Sequence, residues 1–172
     1  MFMIREIAGR ARRVGDDVNT DYIITSTRKR DSLDEQVLAR YFLETLDPQF
    51  AASVRPGDIL VAGRNFGCGS AMEIAVTVIL ATGIRMLIAE SFARTFYRNA
   101  INNGLLPVEC DTSGIVEGDT LTVRLHDDGV EVTNTRSGTL TAARPLPAFM
   151  REIHAQGGLV SYLRSRGGRM EE

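Results

Sequence analysis

The stretch VAGRNFGCGSAMEIA, Val61 to Ala75, gathers the residues of this chain best suited to chemistry. Gly63, Gly67 and Gly69 surround a lone Cys68, and Ser70 stands where an apolar run begins. Ser70 followed three residues later by Glu73 matches a capping box, in which a hydroxyl and a carboxylate take up free amides at a helix start. A glycine-lined turn before a helix also exposes amides and the positive end of the helix dipole, a setting for a carboxylate or phosphate. A plainer reading needs no ligand: the glycines permit a tight turn and Cys68 is a small buried hydrophobe. No Gly-Lys-Ser/Thr follows, so the loop is not a nucleotide P-loop, and its glycine spacing does not fit GxGxxG. The anion that suits it best is a small organic acid.

A second concentration of charge lies in GDDVNTDYIITSTRKRDS, Gly15 to Ser32, which reads as an exposed polar loop with one apolar triplet. Arg28, Lys29 and Arg30 could clamp a distal carboxylate, as bidentate forks or a point charge, or form a solvated basic turn. His126, beside Asp127-Asp128, and His154 read as surface residues and receive no role. Arg94, Arg98 and Asn99 recur at helical spacing and face either a partner or solvent.

The elements that must hold these residues alternate strand and helix. Phe2–Gly9 reads as an opening strand, and Asp34–Leu46 as an amphipathic helix with Val37, Leu38, Tyr41, Phe42 and Leu46 on one face. Asp58–Gly63 is a buried-type strand feeding the glycine loop and an apolar helix from Ala71 to Ala81. Arg85–Ser91 is a second such strand, and Phe92–Asn103 a helix closed by Gly104. A parallel β-α-β core with right-handed crossover follows. After Pro107 come TLTVRL, a turn at Asp127-Asp128-Gly129, VEVTN and TLTA, a β-hairpin with an added strand. Two short helices split at Gly157-Gly158 close the chain. The fold class is α/β.

Composition bounds the function. The 172 residues are 44% hydrophobic and 24% charged, which fits one domain spanning 1–172. With 20 basic and 22 acidic residues the net charge is −2, so neither nucleic acid nor an anionic membrane is attracted at long range. No apolar segment approaches the roughly 18 residues of a membrane span, and the start lacks a secretory core, which indicates a cytoplasmic protein. Cys68 and Cys110 are too few for a structural zinc or an iron–sulfur cluster, which usually take about four protein ligands.

Three blocks, GDDVNTDYII, DPQFAASVRPGDILVAGRNFGCGS and GIRMLIAESFARTFYRNAINNGLLPVE, resemble the small subunits of 3-isopropylmalate dehydratase and homoaconitase. The similarity runs from Gly15 to Glu109 and continues weakly into GGLVSYL. It implies the swivelling β/β/α domain of the aconitase superfamily. Such a domain closes, as one half of a heterodimer, over a large subunit that carries a [4Fe–4S] cluster, with no cofactor in this chain. The implied activity is a hydro-lyase step of leucine biosynthesis on a small di- or tricarboxylic acid. Ser70 would be the base, the loop amides at Gly67, Cys68 and Gly69 would hold a substrate carboxylate, and Cys68 would be packing. Arg30 aligns with an arginine frequent in the corresponding loop of relatives.

The departures are equally specific. Relatives usually read Gly-Ser-Ser-Arg-Glu-His-Ala after the cysteine, whereas this chain reads Gly69-Ser70-Ala71-Met72-Glu73-Ile74-Ala75. The arginine replaced by Met72 ordinarily supports the serine and a carboxylate. Either Arg28 or Lys29 reaches that carboxylate instead, or the acid presents an apolar group to Met72; Ala71 and Ile74 favour the second. The alternatives are a paralogous hydro-lyase for homoaconitate, a substituted malate or maleate, and a non-catalytic small-acid-binding or regulatory domain.

Overall fold

The computed structural model describes residues 5–167. Seven strands form one curled mixed sheet, in the order β4-β3-β2-β1-β5-β6-β7. β1 (Arg5–Arg13) joins its two halves. Its end, Ala11 to Arg13, pairs in parallel with β2 (Ile59–Ala62), and its earlier residues pair antiparallel with β5 (Thr120–Leu125). β3 (Met86–Ala89) and β4 (Leu106–Glu109) extend the parallel half, while β6 (Val130–Asn134) and β7 (Thr139–Ala143) complete the meander on the other side. The opening strand expected over Phe2–Gly9 lies partly outside the described residues.

Period-two alternation sorts the parallel strands between two cores. Leu60, Ala62, Leu87 and Ala89 meet the helices on one face. Ile59, Val61, Met86 and Ile88 meet the hairpin and the terminal helices on the other. Both faces are covered, which is why β2 and β3 read as unbroken apolar runs. β4 was not legible because Pro107 sits within it. As an edge strand, it tolerates a residue that donates no ladder hydrogen bond.

The segment expected to be an exposed loop instead folds into α1 (Thr20–Ile23) and α2 (Ser26–Asp31), with Ile23 and Ile24 fully buried. Asn19 and Thr25 cap these helices, accepting from the amides of Asp21 at 2.9 Å and Arg28 at 3.3 Å. The helix expected over Asp34–Leu46 stops early: α3 covers Glu35–Leu38 and a 3-10 turn covers Ala39–Tyr41. The Leu43 amide then bonds the Ile23 carbonyl at 3.1 Å, and Leu43 takes a left-handed φ of 56°, so a tertiary bond replaces the next helical one. α4 (Phe50–Ser53) follows.

α5 (Glu73–Ala81) and α6 (Arg94–Asn103) begin at the carboxyl ends of β2 and β3, the edge where ligands of open α/β sheets bind. Gly104 closes α6 with a φ of 84°, as the sequence indicates. α7 (Ala148–Ala155) and α8 (Leu159–Gly167) close the second core. No helix among the described residues is long and apolar enough to cross a membrane.

Candidate active site

The glycine loop is sewn to the segment after β1. Asp16 accepts from the Arg64 amide at 2.7 Å and from its guanidinium at 3.0 Å, which holds the carboxyl below its ordinary range. Asn65 Nδ2 donates to Asp17 at 2.8 Å. The Gly67 amide donates to the Val18 carbonyl, and the Thr20 amide to the Cys68 carbonyl, both at 2.8 Å. Thr20 Oγ1 then donates to the Ser70 carbonyl at 3.0 Å. The GDDVNT residues are therefore the scaffold of NFGCGS.

On its other side the loop is tied to the end of β3: the Phe66 amide donates to Ser91 at 3.0 Å, and the Ala93 amide to Phe66 at 2.9 Å. Phe66 packs edge-on against Phe96 with ring centroids 5.1 Å apart. Gly67 and Gly69 have φ of 80° and 95°, and a Cβ on either would overlap the Phe96 ring or the Asn19 side chain. Glycine is required at both by conformation and by space.

Gly67, Gly69 and Ser70 line a cavity of about 240 Å³ together with Met72, Arg94 and Thr95. Two helix starts converge there. The first amides of α5 and α6 have no intrahelical partner, and neither Met72 nor Ala93, the residues preceding them, makes a side-chain cap hydrogen bond to them. Residues at the starts of both helices therefore wall the cavity, an arrangement of open amides that suits an anion.

The capping box does not form. α5 starts at Glu73 after an extended Met72 (φ −121°, ψ 117°), two residues later than Ser70 would require, so the serine hydroxyl caps nothing. Ser70 is exposed at the cavity, and among the described residues its hydroxyl has no hydrogen-bond partner. A hydroxyl free of structural duty, beside open amides, can move a proton.

The three basic residues of α2 separate by environment. Arg28 lies on Glu44, with hydrogen bonds of 2.8 and 3.0 Å, and stacks 3.7 Å over the Tyr41 ring, so the structure does not bring it to the cavity. Arg30 is exposed and donates to Thr27 Oγ1 at 3.4 Å. Lys29 turns inward, with Nζ 2.8 Å from Met72 Sδ and 3.3 Å from Asp21 Oδ1. Arg94 at the cavity was left undecided by the sequence; the signal was available, since α6 must start at the same sheet edge as the glycine loop. Arg98 joins Arg94 in an adjoining cavity of about 400 Å³. His126 and His154 both line a separate one.

Cys68 is half-buried in the loop backbone, while Cys110 is buried in the second core, where burial pushes its thiol up to about 11. An iron–sulfur cluster needs thiolates, so this pair does not fit one. No group of three or more His, Cys, Asp or Glu side chains among the described residues is placed to hold a metal ion.

Residues 13–113, which include the whole cavity, match the aconitase C-terminal domain. The chain belongs to the aconitase C-terminal domain family. Within that family it is 46% identical to a 3-isopropylmalate dehydratase small subunit of Caldanaerobacter subterraneus, over 92% of this chain and 98% of that protein. It is 45% identical to a methanogen homoaconitase small subunit of Methanocaldococcus jannaschii, over 93% and 92%. The crystal structure of a 3-isopropylmalate dehydratase from Methanocaldococcus jannaschii superposes with a TM-score of 0.89 at 43% identity, covering 95% of this chain and 96% of that one. The aconitase-superfamily fold anticipated from the three sequence blocks is therefore the fold of this chain.

Proposed function

We propose that the chain is the small subunit of a two-subunit hydro-lyase acting on 3-isopropylmalate, supplying the residues that hold one carboxylate and move one proton. The observation that carries this is the free Ser70 hydroxyl at the meeting point of two helix starts. The names of full-length relatives point the same way.

In the dehydration direction a C–H bond adjacent to a carboxylate breaks. Its proton passes to Ser70 Oγ, its electron pair forms the double bond, and hydroxide leaves the neighbouring carbon. A serine oxygen receives that proton only if its anionic form is stabilised, which is the office of open amides and the α5 dipole in a site closed to water. The amides of Cys68 and Gly69, with Arg94, hold a substrate carboxylate, whereas the expected Gly67 amide is already taken by the Val18 carbonyl, and exposed Arg30 is left for a distal group. Departure of hydroxide falls to the partner subunit, where we also place the iron–sulfur cluster, since the thiols here do not fit it. Ser70 and Arg94 are exposed, so a second chain is needed to exclude water from them. Leu33, 80% exposed beside α2, and half-exposed Tyr22 and Leu46 provide apolar surface for it. The assembled enzyme would be cytoplasmic.

The 45% identity to a homoaconitase small subunit supports a second reading in which the acid is homoaconitate. Co-expression with a cluster-bearing large subunit, followed by hydration assays on unsaturated diacids and triacids, tests both. Turnover by the complex but by neither chain alone is expected; failure to assemble or to turn over any of these acids would overturn the proposal.

A further inference from the structure

We infer that Thr20 is a positioning residue for Ser70: its hydroxyl and its own amide hold two peptides of the loop around the serine and so fix where the Ser70 hydroxyl stands. The inference rests on the hydro-lyase reading and adds to it a residue that acts through Ser70.

Ser70 needs a hold from outside its own segment. Its neighbour Gly69 has a left-handed φ of 95°, and glycine restrains the backbone least of all residues. α5 starts only at Glu73, so the serine lies ahead of the helix. Among the described residues, the bond that the Ser70 carbonyl accepts from Thr20 Oγ1, at 3.0 Å, is the one hydrogen bond made by residues 69–71. Thr20 is 1% exposed, yet it lines the Ser70 cavity. Its hydroxyl is not needed by α1, because Asn19 caps that helix through the Asp21 amide. A buried hydroxyl is costly unless it is bonded, and its other acceptor, Asn19 Oδ1, stands at a long 3.5 Å. The Ser70 carbonyl is therefore its working partner.

Peptide planarity turns these bonds into directions. In a trans peptide the carbonyl and the following amide point opposite ways. The Thr20 amide donates to the Cys68 carbonyl at 2.8 Å, which sends the Gly69 amide away from α1. The Thr20 hydroxyl donates to the Ser70 carbonyl, which does the same for the Ala71 amide. Gly69, Ser70 and Ala71 all line the cavity, and neither amide has a protein partner among the described residues. One residue thus makes two separate contacts. Its backbone orients an amide assigned to the substrate carboxylate, and its side chain orients the serine assigned to the proton. Only the second is lost on mutation of the side chain.

That division predicts a split in steady-state kinetics of the complex with the large subunit on 3-isopropylmalate. Thr20→Val, which keeps the β-branched shape, and Thr20→Ala should each lower kcat about 3- to 10-fold with little change in KM, as for loss of one neutral hydrogen bond felt in the transition state. Thr20→Ser, which keeps the hydroxyl, should retain most of kcat. In a Ser70→Ala background Thr20→Val should have little further effect, because no serine hydroxyl is left to position. Unchanged kcat in both Thr20→Val and Thr20→Ala, or the same fractional loss with and without the Ser70 hydroxyl, would overturn the inference. Independently of turnover, nitrogen-15 relaxation of the full chain should show lower backbone order parameters at Ser70 and Ala71 in Thr20→Val and Thr20→Ala than in wild type and Thr20→Ser. Equal order parameters in all four proteins would also overturn it. If the wild-type complex proves inactive, the hydro-lyase reading fails by itself and the relaxation data still decide whether Thr20 holds Ser70.

Discussion

Replacing Arg28 by leucine separates an anchor from a substrate clamp. The guanidinium makes two charge-assisted bonds to Glu44, at 2.8 and 3.0 Å, and stacks 3.7 Å over Tyr41. The two charged side chains are 35% and 25% exposed, so solvent screens the pair and its contribution is near the upper end for surface pairs, about 1 kcal/mol. Stacking on the ring adds about 0.5–1 kcal/mol. Together these give a loss of about 1.5–2 kcal/mol, or about 3–8 °C in Tm for a chain of this size. Glu44→Gln should lose part of the same energy, and the double variant should lose less than the sum, because both residues belong to one contact. The assay is thermal unfolding of the four proteins, with KM measured on each assembled enzyme. An unchanged Tm with a strongly raised KM in Arg28→Leu would refute the anchor and return Arg28 to the substrate.

Alkylation should distinguish the two thiols. Burial holds Cys110 up to about 11, so at neutral pH iodoacetamide should modify Cys68 first and reach Cys110 only after denaturation; equal rates in mass spectrometry would contradict the packing. Asp119 is held well below the usual carboxylate range by the Arg136 guanidinium, the Val116 amide and Asn134. A depressed native pKa gives stability that is present above the unfolded value near 3.9 and is lost as pH falls below it. Urea midpoints at neutral pH and near pH 3 should therefore drop further in wild type than in Asp119→Asn; parallel drops would show that this carboxylate is not linked to folding.

What the sequence revealed depended on whether neighbours in the chain or distant partners decide the conformation. β2 and β3 were legible because burial on both faces leaves an apolar run, and the end of α6 because Gly104 adopts the left-handed cap. The break after α3 was not, since a bond from Leu43 to Ile23, twenty positions away, ends the helix. The Ser70-to-Glu73 spacing matched a capping box, but Met72 is extended and the helix begins too late to use it. In the candidate site the loop glycines and Ser70 were readable, since tight turns before helices carry a local signature. Arg28, Lys29 and Arg30 were not separable, because composition is blind to which of three consecutive cations meets Glu44, which meets Met72 and which meets water.

The central claim is that Ser70 moves the substrate proton, and its most direct test is turnover by the assembled complex carrying Ser70→Ala. The hydroxyl caps no helix and is exposed, so stability should stay within about 0.5 kcal/mol of wild type and the subunits should still associate. Loss of a positioned proton-transfer group should lower kcat by about a hundredfold to ten-thousandfold with little change in KM. A Ser70→Ala complex that assembles normally and turns over 3-isopropylmalate at the wild-type rate would contradict the account.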